Sequence, residues 1–193
     1  MNREARQYWQ AQRRQMLRRD RQRGLGGGGF WVTKVLIALM VLVFLIGILD
    51  PAIIVRATQG SLGFVLGLFV SALSPSGFLG FLFAGVFLWI IGSQLEGLST
   101  WWQYLLIFFA SGICGSLISW LLHAGLIGGT FAAFGLAGAY VMAMSNRRVG
   151  GMAQWAILLL AINVVLSGFQ PGVLGGMLGA FFAGLLIARA IRL

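Results

Sequence analysis

The chain is poor in the side chains that do chemistry. Among 193 residues there are four acids, one histidine (His123) and one cysteine (Cys114). A single cysteine forms no internal disulfide. A tetrahedral metal site needs several His, Cys or carboxylate ligands converging on one point, so no metal or other cofactor is expected. Charged residues make up 9% of the chain, against about 25% in soluble domains. That charge could not cover a water-facing surface. What is abundant is apolar: 59% of the residues, with 29 glycines. These proportions describe an integral membrane protein.

The net charge of +10 comes mostly from the ends. Residues 1–24 carry eight arginines against Glu4 and Asp20. Arg13, Arg14, Arg18, Arg19, Arg21 and Arg23 are the densest part and could hold anionic lipid headgroups, at about 1 kcal/mol per basic residue near the surface. Ala5, Tyr8, Trp9 and Met16 would form a weak apolar stripe beside them. The plainer reading is a cytoplasmic tail that only sets orientation. A short basic tail without a folded module is thin support for nucleic-acid binding, and no nucleic-acid partner is expected. The basic region is too long for a signal peptide, and no small-residue cleavage site follows. Gly24 and Gly26 to Gly29 make a joint. The expected organisation is a basic arm with its joint over residues 1–29 and a membrane domain over 30–193.

Residues 30–49 match the roughly 20 apolar residues a bilayer core requires, with Lys34 able to snorkel. Residues 62–73 are apolar but too short to cross, which suits an interfacial or re-entrant segment. Further spans are expected at 78–95, ending at Glu96, and at 101–122, entered through Trp101, Trp102 and Tyr104. Residues 128–143 form a short fourth span, 152–166 a fifth carrying Asn163, and 173–190 a sixth after a turn around Pro171. With six spans and a cytoplasmic N-terminus, the arm, Arg147, Arg148, Arg189 and Arg192 all fall inside and only Arg56 outside, as the positive-inside rule asks. A seventh span at 62–73 would throw Arg147, Arg148, Arg189 and Arg192 outside.

Two spans carry smooth faces. Gly135, Ala139 and Ala143 recur every four residues on the fourth, and Gly172, Gly176, Ala180 and Gly184 on the sixth. Ser111, Gly115 and Ser119 make a third such stripe. Small residues let backbones approach closely in lipid, so the fourth and sixth spans are expected to pack face to face. Between the helix ends the spans hold no Asp, Glu, Arg or Lys, which argues against a pump or proton-coupled transporter. Asn163 suits a hydrogen bond between helices, and Cys114 a small core position. His123 could act as a base on Thr130 across a short loop, or be an interfacial side chain with its tip in water.

In its order of segments the chain resembles the rhomboid family of intramembrane serine proteases over about residues 31–192. FLWIIGSQLE (87–96) resembles the end of that family's second span, glutamate included. FGLAGAY (134–140) resembles the stretch after the catalytic serine, and Val173-Leu174-Gly175-Gly176 resembles the sixth-span histidine-to-glycine segment. The embedded first loop of the family corresponds to residues 62–73. The resemblance implies an all-α polytopic fold of six transmembrane helices with a partly embedded first loop.

The departures fall on the chemistry. The family's Gly-x-Ser-Gly aligns on Gly128-Gly129-Thr130-Phe131, so threonine replaces serine and phenylalanine replaces glycine. The histidine base aligns on Val173, and the oxyanion-holding histidine and asparagine on Gly80 and Ala84. The Trp-Arg pair of the first loop has no counterpart near Leu66-Gly67. A hydroxyl is a weak nucleophile without a base, and one lost oxyanion donor costs on the order of 100- to 1000-fold. Thr130 is then expected to be a packing residue whose hydroxyl bonds its own backbone. The resemblance implies a pseudoprotease of the cell (inner) membrane, both termini cytoplasmic. Its partners are the bilayer and transmembrane segments of other membrane proteins. A divergent endopeptidase using Thr130, and a structural subunit or small-solute carrier, are the alternatives.

Overall fold

Helices account for the regular structure throughout the described residues. The computed structural model describes residues 30–50, 52, 63–75, 77–124, 129–146, 154, 158, 161–162 and 170–193. Val32–Leu193 forms one compact unit. Of the separate unit Met1–Trp31, only Phe30 and Trp31 are described, so the arginines of the arm lie outside the described residues. Six helices are described: α1 (Trp31–Leu49), α2 (Gly63–Leu73), α3 (Gly77–Leu98), α4 (Trp101–Leu121), α5 (Gly129–Asn146) and α6 (Pro171–Ala190). Four of them, α1, α3, α4 and α6, are long and apolar enough to cross a membrane. Within the expected fifth span only Gln154, Leu158, Ala161 and Ile162 are described, all helical and exposed; Asn163 falls outside.

Several boundaries differ from the sequence expectation for local reasons. The second span runs past Glu96 to Leu98 and carries a π-helical turn at Leu88–Gly92. Gly77 opens it at φ +69°, a conformation that glycine adopts without strain. Pro171 is the first residue of α6 and not a turn residue: its ring presets a helical φ, and the amide hydrogen it lacks would have had no intrahelical partner there. The fourth span ends at Asn146, where the Asn146-Arg147-Arg148 run marks its end in the sequence. Thr100 and Gln103 form a capping box that starts α4.

The centre of the bundle is α4, α5 and α6. Residues 129–140 of α5 are buried without interruption, because other helices surround them. On α6, Gly172, Gly176, Ala180 and Gly184 are buried while Leu178, Phe182 and Leu186 face outward as an apolar stripe suited to lipid. The small faces mesh differently from a simple pairing of two spans. A methyl group built on Gly184 would collide with the Gly135 backbone, so α6 does press on α5 there. The Cβ direction of Gly135 itself points at the Ser111 side chain of α4. Gly138, which the four-residue pattern did not select, is the α5 glycine that faces the α6 backbone at Phe181 and Leu185. Ala139 and Ala143 are buried in the main core with Tyr104, Phe108 and Ala188. Gly172 sits against Ala124 just past the end of α4.

Candidate functional site

The place to look is the first turn of α5, where Thr130 sits. Gly129 begins the helix with its N–H donated to the Ser74 carbonyl, 3.1 Å away, in the turn that ends α2. A methyl on Gly129 would lie 2.9 Å from Pro75 N and 3.0 Å from Ser74 C. The Ser74-Pro75 turn is therefore stacked on the start of α5 with room only for glycine. It satisfies one of the donors that a helix N-terminus leaves open. The short helix α2 is held there by further close contacts. Gly112 of α4 lies between Ala132 and Ala72, and the Ser71 hydroxyl stands 3.5 Å from Ser116 Oγ of α4.

Thr130 is 97% buried, and among the described residues its hydroxyl has no hydrogen-bond partner. This corrects the expected bond to its own backbone. Thr130 is the second residue of α5, ahead of the helix-interior positions at which such bonds form. Ser119 Oγ, at the facing end of α4, is likewise buried and unpartnered. Ser111 and Ser116 lie deeper in α4 and donate to Ile107 O (2.5 Å) and Gly112 O (2.9 Å), as interior helical serines do.

Phe131 follows Thr130 and fills the junction of three helices. A methyl on Gly115 of α4 would come within 2.8 Å of Phe131 Cβ and 2.9 Å of Ala180 Cβ. One on Gly176 of α6 would come within 2.5 Å of the ring at Cζ. Phe131, Phe134, Met177 and Ala180 form a buried cluster on which Phe83 and Val173 pack. Phe83, Phe87 and Phe134 continue it, with ring centroids 5.5 to 5.9 Å apart. Ala84 is fully buried beside them and Gly80 is half-buried one turn earlier. Val173, at the position aligned with the family's base, packs on this cluster, and Gly80 and Ala84 offer no side-chain hydrogen-bond donor.

His123 is exposed, at φ +59°, where it closes α4. Its N–H bonds Trp120 O and the Ala124 N–H bonds Ser119 O, the paired pattern of a Schellman terminus. Its place is explained by backbone capping, and no hydrogen bond joins it to Thr130. Cys114 is a free, half-buried thiol on α4. Among the described residues no group of three or more His, Cys, Asp or Glu could hold a metal ion.

One polar node lies at the opposite end of the bundle and was not legible in the spacing of residues. Glu96 Oε1 accepts the Val32 N–H (3.0 Å), and Oε2 accepts the Thr33 N–H (2.9 Å) and hydroxyl (2.7 Å). The carboxylate caps α1 from another helix, 63 residues away, where the helix dipole favours negative charge. The Tyr104 hydroxyl stands 3.3 Å from Thr33 Oγ1, over Gly92. Next to this node the Tyr140 hydroxyl donates to Gln94 Oε1 at 2.6 Å, tying α5 to α3.

The chain matches the family model described as Rhomboid domain over residues 62–192, more than half its length. No individual curated protein and no solved structure matches it. The matched stretch runs from the short embedded helix α2 to the end of α6 and contains the Thr130 turn, the aromatic filling and the Val173 position. This all-helical, multi-pass membrane protein belongs to the rhomboid family.

Proposed function

We propose that this protein is a rhomboid pseudoprotease, which binds transmembrane segments of other membrane proteins without cleaving them. The observation that carries the reading is the filling of the site. Phe131 stands in place of a glycine and occupies the space between α4, α5 and α6, and Val173 packs on the same cluster where a base would stand. Acyl transfer by a hydroxyl needs a base within about 3 Å and room for a water-borne proton path. Around Thr130 there is a buried hydroxyl without a partner, the Ser74-Pro75 turn and phenylalanine rings. Losing base and oxyanion donors together removes groups that act as a unit.

Binding without chemistry needs only the fold. The bundle combines a half-length helix, α2, with full spans, and such mismatch thins the bilayer locally and favours polar or unstable transmembrane helices as neighbours. The bilayer is that of the cell (inner) membrane, with both termini cytoplasmic and the basic arm on anionic headgroups. Arg189 and Arg192 at the exposed end of α6 supply positive charge on that side.

The unpartnered Thr130 hydroxyl favours one competing reading, a divergent endopeptidase using it as nucleophile. The test is proteolysis in liposomes: wild type and Thr130→Ala receive a panel of transmembrane substrates and a serine-reactive phosphonate. Absence of cleavage and labelling, with a folded protein by melting curve, is expected. Cleavage or labelling that vanishes in Thr130→Ala would overturn the pseudoprotease reading.

A further inference from the structure

The turn between α2 and α3 does more than end a helix. A proline steers the residue before it out of helical conformation, so α2 stops at Leu73 and Ser74 lies outside it. The Ser74 N–H closes back on Ser71 O at 3.0 Å, and the Ser74 carbonyl accepts the Gly129 N–H at 3.1 Å. Pro75 is buried at this contact. It brings no N–H that would need a partner in a dry place. A methyl on Gly129 would lie 2.9 Å from Pro75 N, 3.0 Å from Ser74 C and 3.2 Å from Ser74 O. The turn therefore rests directly on the first residue of α5.

The turn is also held from behind by α2. A methyl on Gly112 of α4 would lie 3.0 Å from Ala132 Cβ of α5 and 3.2 Å from Ala72 Cβ of α2, so the three helices meet there. Phe69 of α2 and Phe109 of α4 pack with ring centroids 5.4 Å apart. Close packing on α4 thus fixes where the end of α2, and the turn that follows it, comes to lie.

The place matters because of what a helix start can do. Its first amides have no partner within the helix, and the helix dipole is positive there. Such preorganised amides can hold the oxygen of an acyl group as it gains charge. In α5 the Gly129 amide is already taken by a backbone carbonyl, the same group that a bound peptide would present. The next residue is Thr130, almost fully buried, whose hydroxyl has no partner among the described residues.

We propose that the Ser74-Pro75 turn is a built-in plug, an autoinhibitory contact in which the chain's own carbonyl occupies the amide at the start of α5 and covers Thr130. The inference goes beyond the missing base. The plug would close the start of α5 to a peptide carbonyl even if Thr130 had a base beside it, and access would require the turn to lift.

The experiment reads access to position 130 in the full-length protein in lipid nanodiscs. In a Cys114→Ala background, Thr130→Cys places the only thiol there, and a small water-soluble methanethiosulfonate reports its exposure. His123→Cys, at an exposed position, gives the open rate. Thr130→Cys is expected to react about a hundredfold more slowly than this reference. Adding Gly129→Ala, whose methyl cannot share its space with the turn, should raise the rate roughly tenfold. Adding Gly179→Ala instead, whose methyl meets only the tip of Ile118, should leave the thiol protected. Amide exchange on wild type is the second readout and needs no variant. The Gly129 amide should exchange slowly, whereas a partnerless amide in a first helical turn exchanges near the unstructured rate. An unprotected Gly129 amide would overturn the carbonyl contact. Thr130→Cys reacting as fast as His123→Cys would overturn the cover. Protection that survives Gly129→Ala in a folded protein would show that something other than the turn covers Thr130, and would overturn the plug. If Gly129→Ala does not fold, judged by its melting curve, the exchange rate of wild type decides. None of these results bears on cleavage, so the pseudoprotease reading stands or falls by the liposome assay alone.

Discussion

A graded set of glycine-to-alanine substitutions tests whether close helix contact holds this bundle together. At Gly184 the added methyl would point into the backbone of Gly135, at its carbonyl oxygen, carbonyl carbon and Cα. Backbone has no alternative rotamer, so α5 and α6 must move apart. Reaching an ordinary carbon contact of about 3.5 Å requires a shift of about 1.5 Å. That shift would also loosen the contact of Gly138 with Phe181 and of Gly176 with Phe131. Overpacking costs about 1–3 kcal/mol, and here the upper end, about 3 kcal/mol, is expected. At Gly179 the methyl meets the tip of the Ile118 side chain, which can turn aside. A rotamer cost of about 1 kcal/mol is then offset by a similar gain in helix propensity, for no net change. At Gly85 the space is open, and Ala should stabilise the helix by up to about 1 kcal/mol. Reversible unfolding in mixed micelles, followed by circular dichroism, gives the three values. If Gly184→Ala proves as stable as Gly85→Ala, close backbone contact between α5 and α6 is not what orders the fold.

Three other substitutions probe the polar groups. Glu96→Gln keeps the shape but removes the charge that caps α1, and should cost about 2 kcal/mol; amide exchange at Val32 and Thr33 should rise with it, and unchanged protection there would refute the capping role. Thr130→Val replaces the unpartnered buried hydroxyl with a methyl of the same shape and should stabilise the fold by about 1 kcal/mol in the same unfolding assay; a destabilised Thr130→Val would mean that the hydroxyl has a partner. His123→Gly relieves a positive φ at the end of α4 and should stabilise by roughly 0.5–1 kcal/mol, whereas a loss of stability would show that the imidazole makes a contact worth more than the strain.

Much of the fold was legible because a bilayer imposes simple conditions on sequence. Apolar length marked the spans now seen as α1, α3, α4 and α6, and its shortness at residues 62–73 marked the half-length helix α2. The chemistry was legible as a lack: one histidine, and no polar side chain at Val173, Gly80 or Ala84, can be read from residue identities without coordinates. The meshing of glycines was only partly legible. A four-residue repeat selects a line along one helix, but α5 is surrounded by neighbours. Gly135 therefore meets Ser111 of α4, and Gly138, off the line, meets α6.

The sequence by itself determined that this is a multi-helix membrane protein with a single histidine, since hydrophobic length and side-chain identity are local properties. Only the tertiary structure decided what packs around Thr130 and what holds the helix ends. Phe131 reaching Gly115 and Gly176, Ser74 bonding Gly129, and Glu96 capping α1 join residues 45 to 64 positions apart, apart from the closer Phe131–Gly115 pair. Partners across such distances are chosen by how the helices pack, which no periodicity along a single helix records.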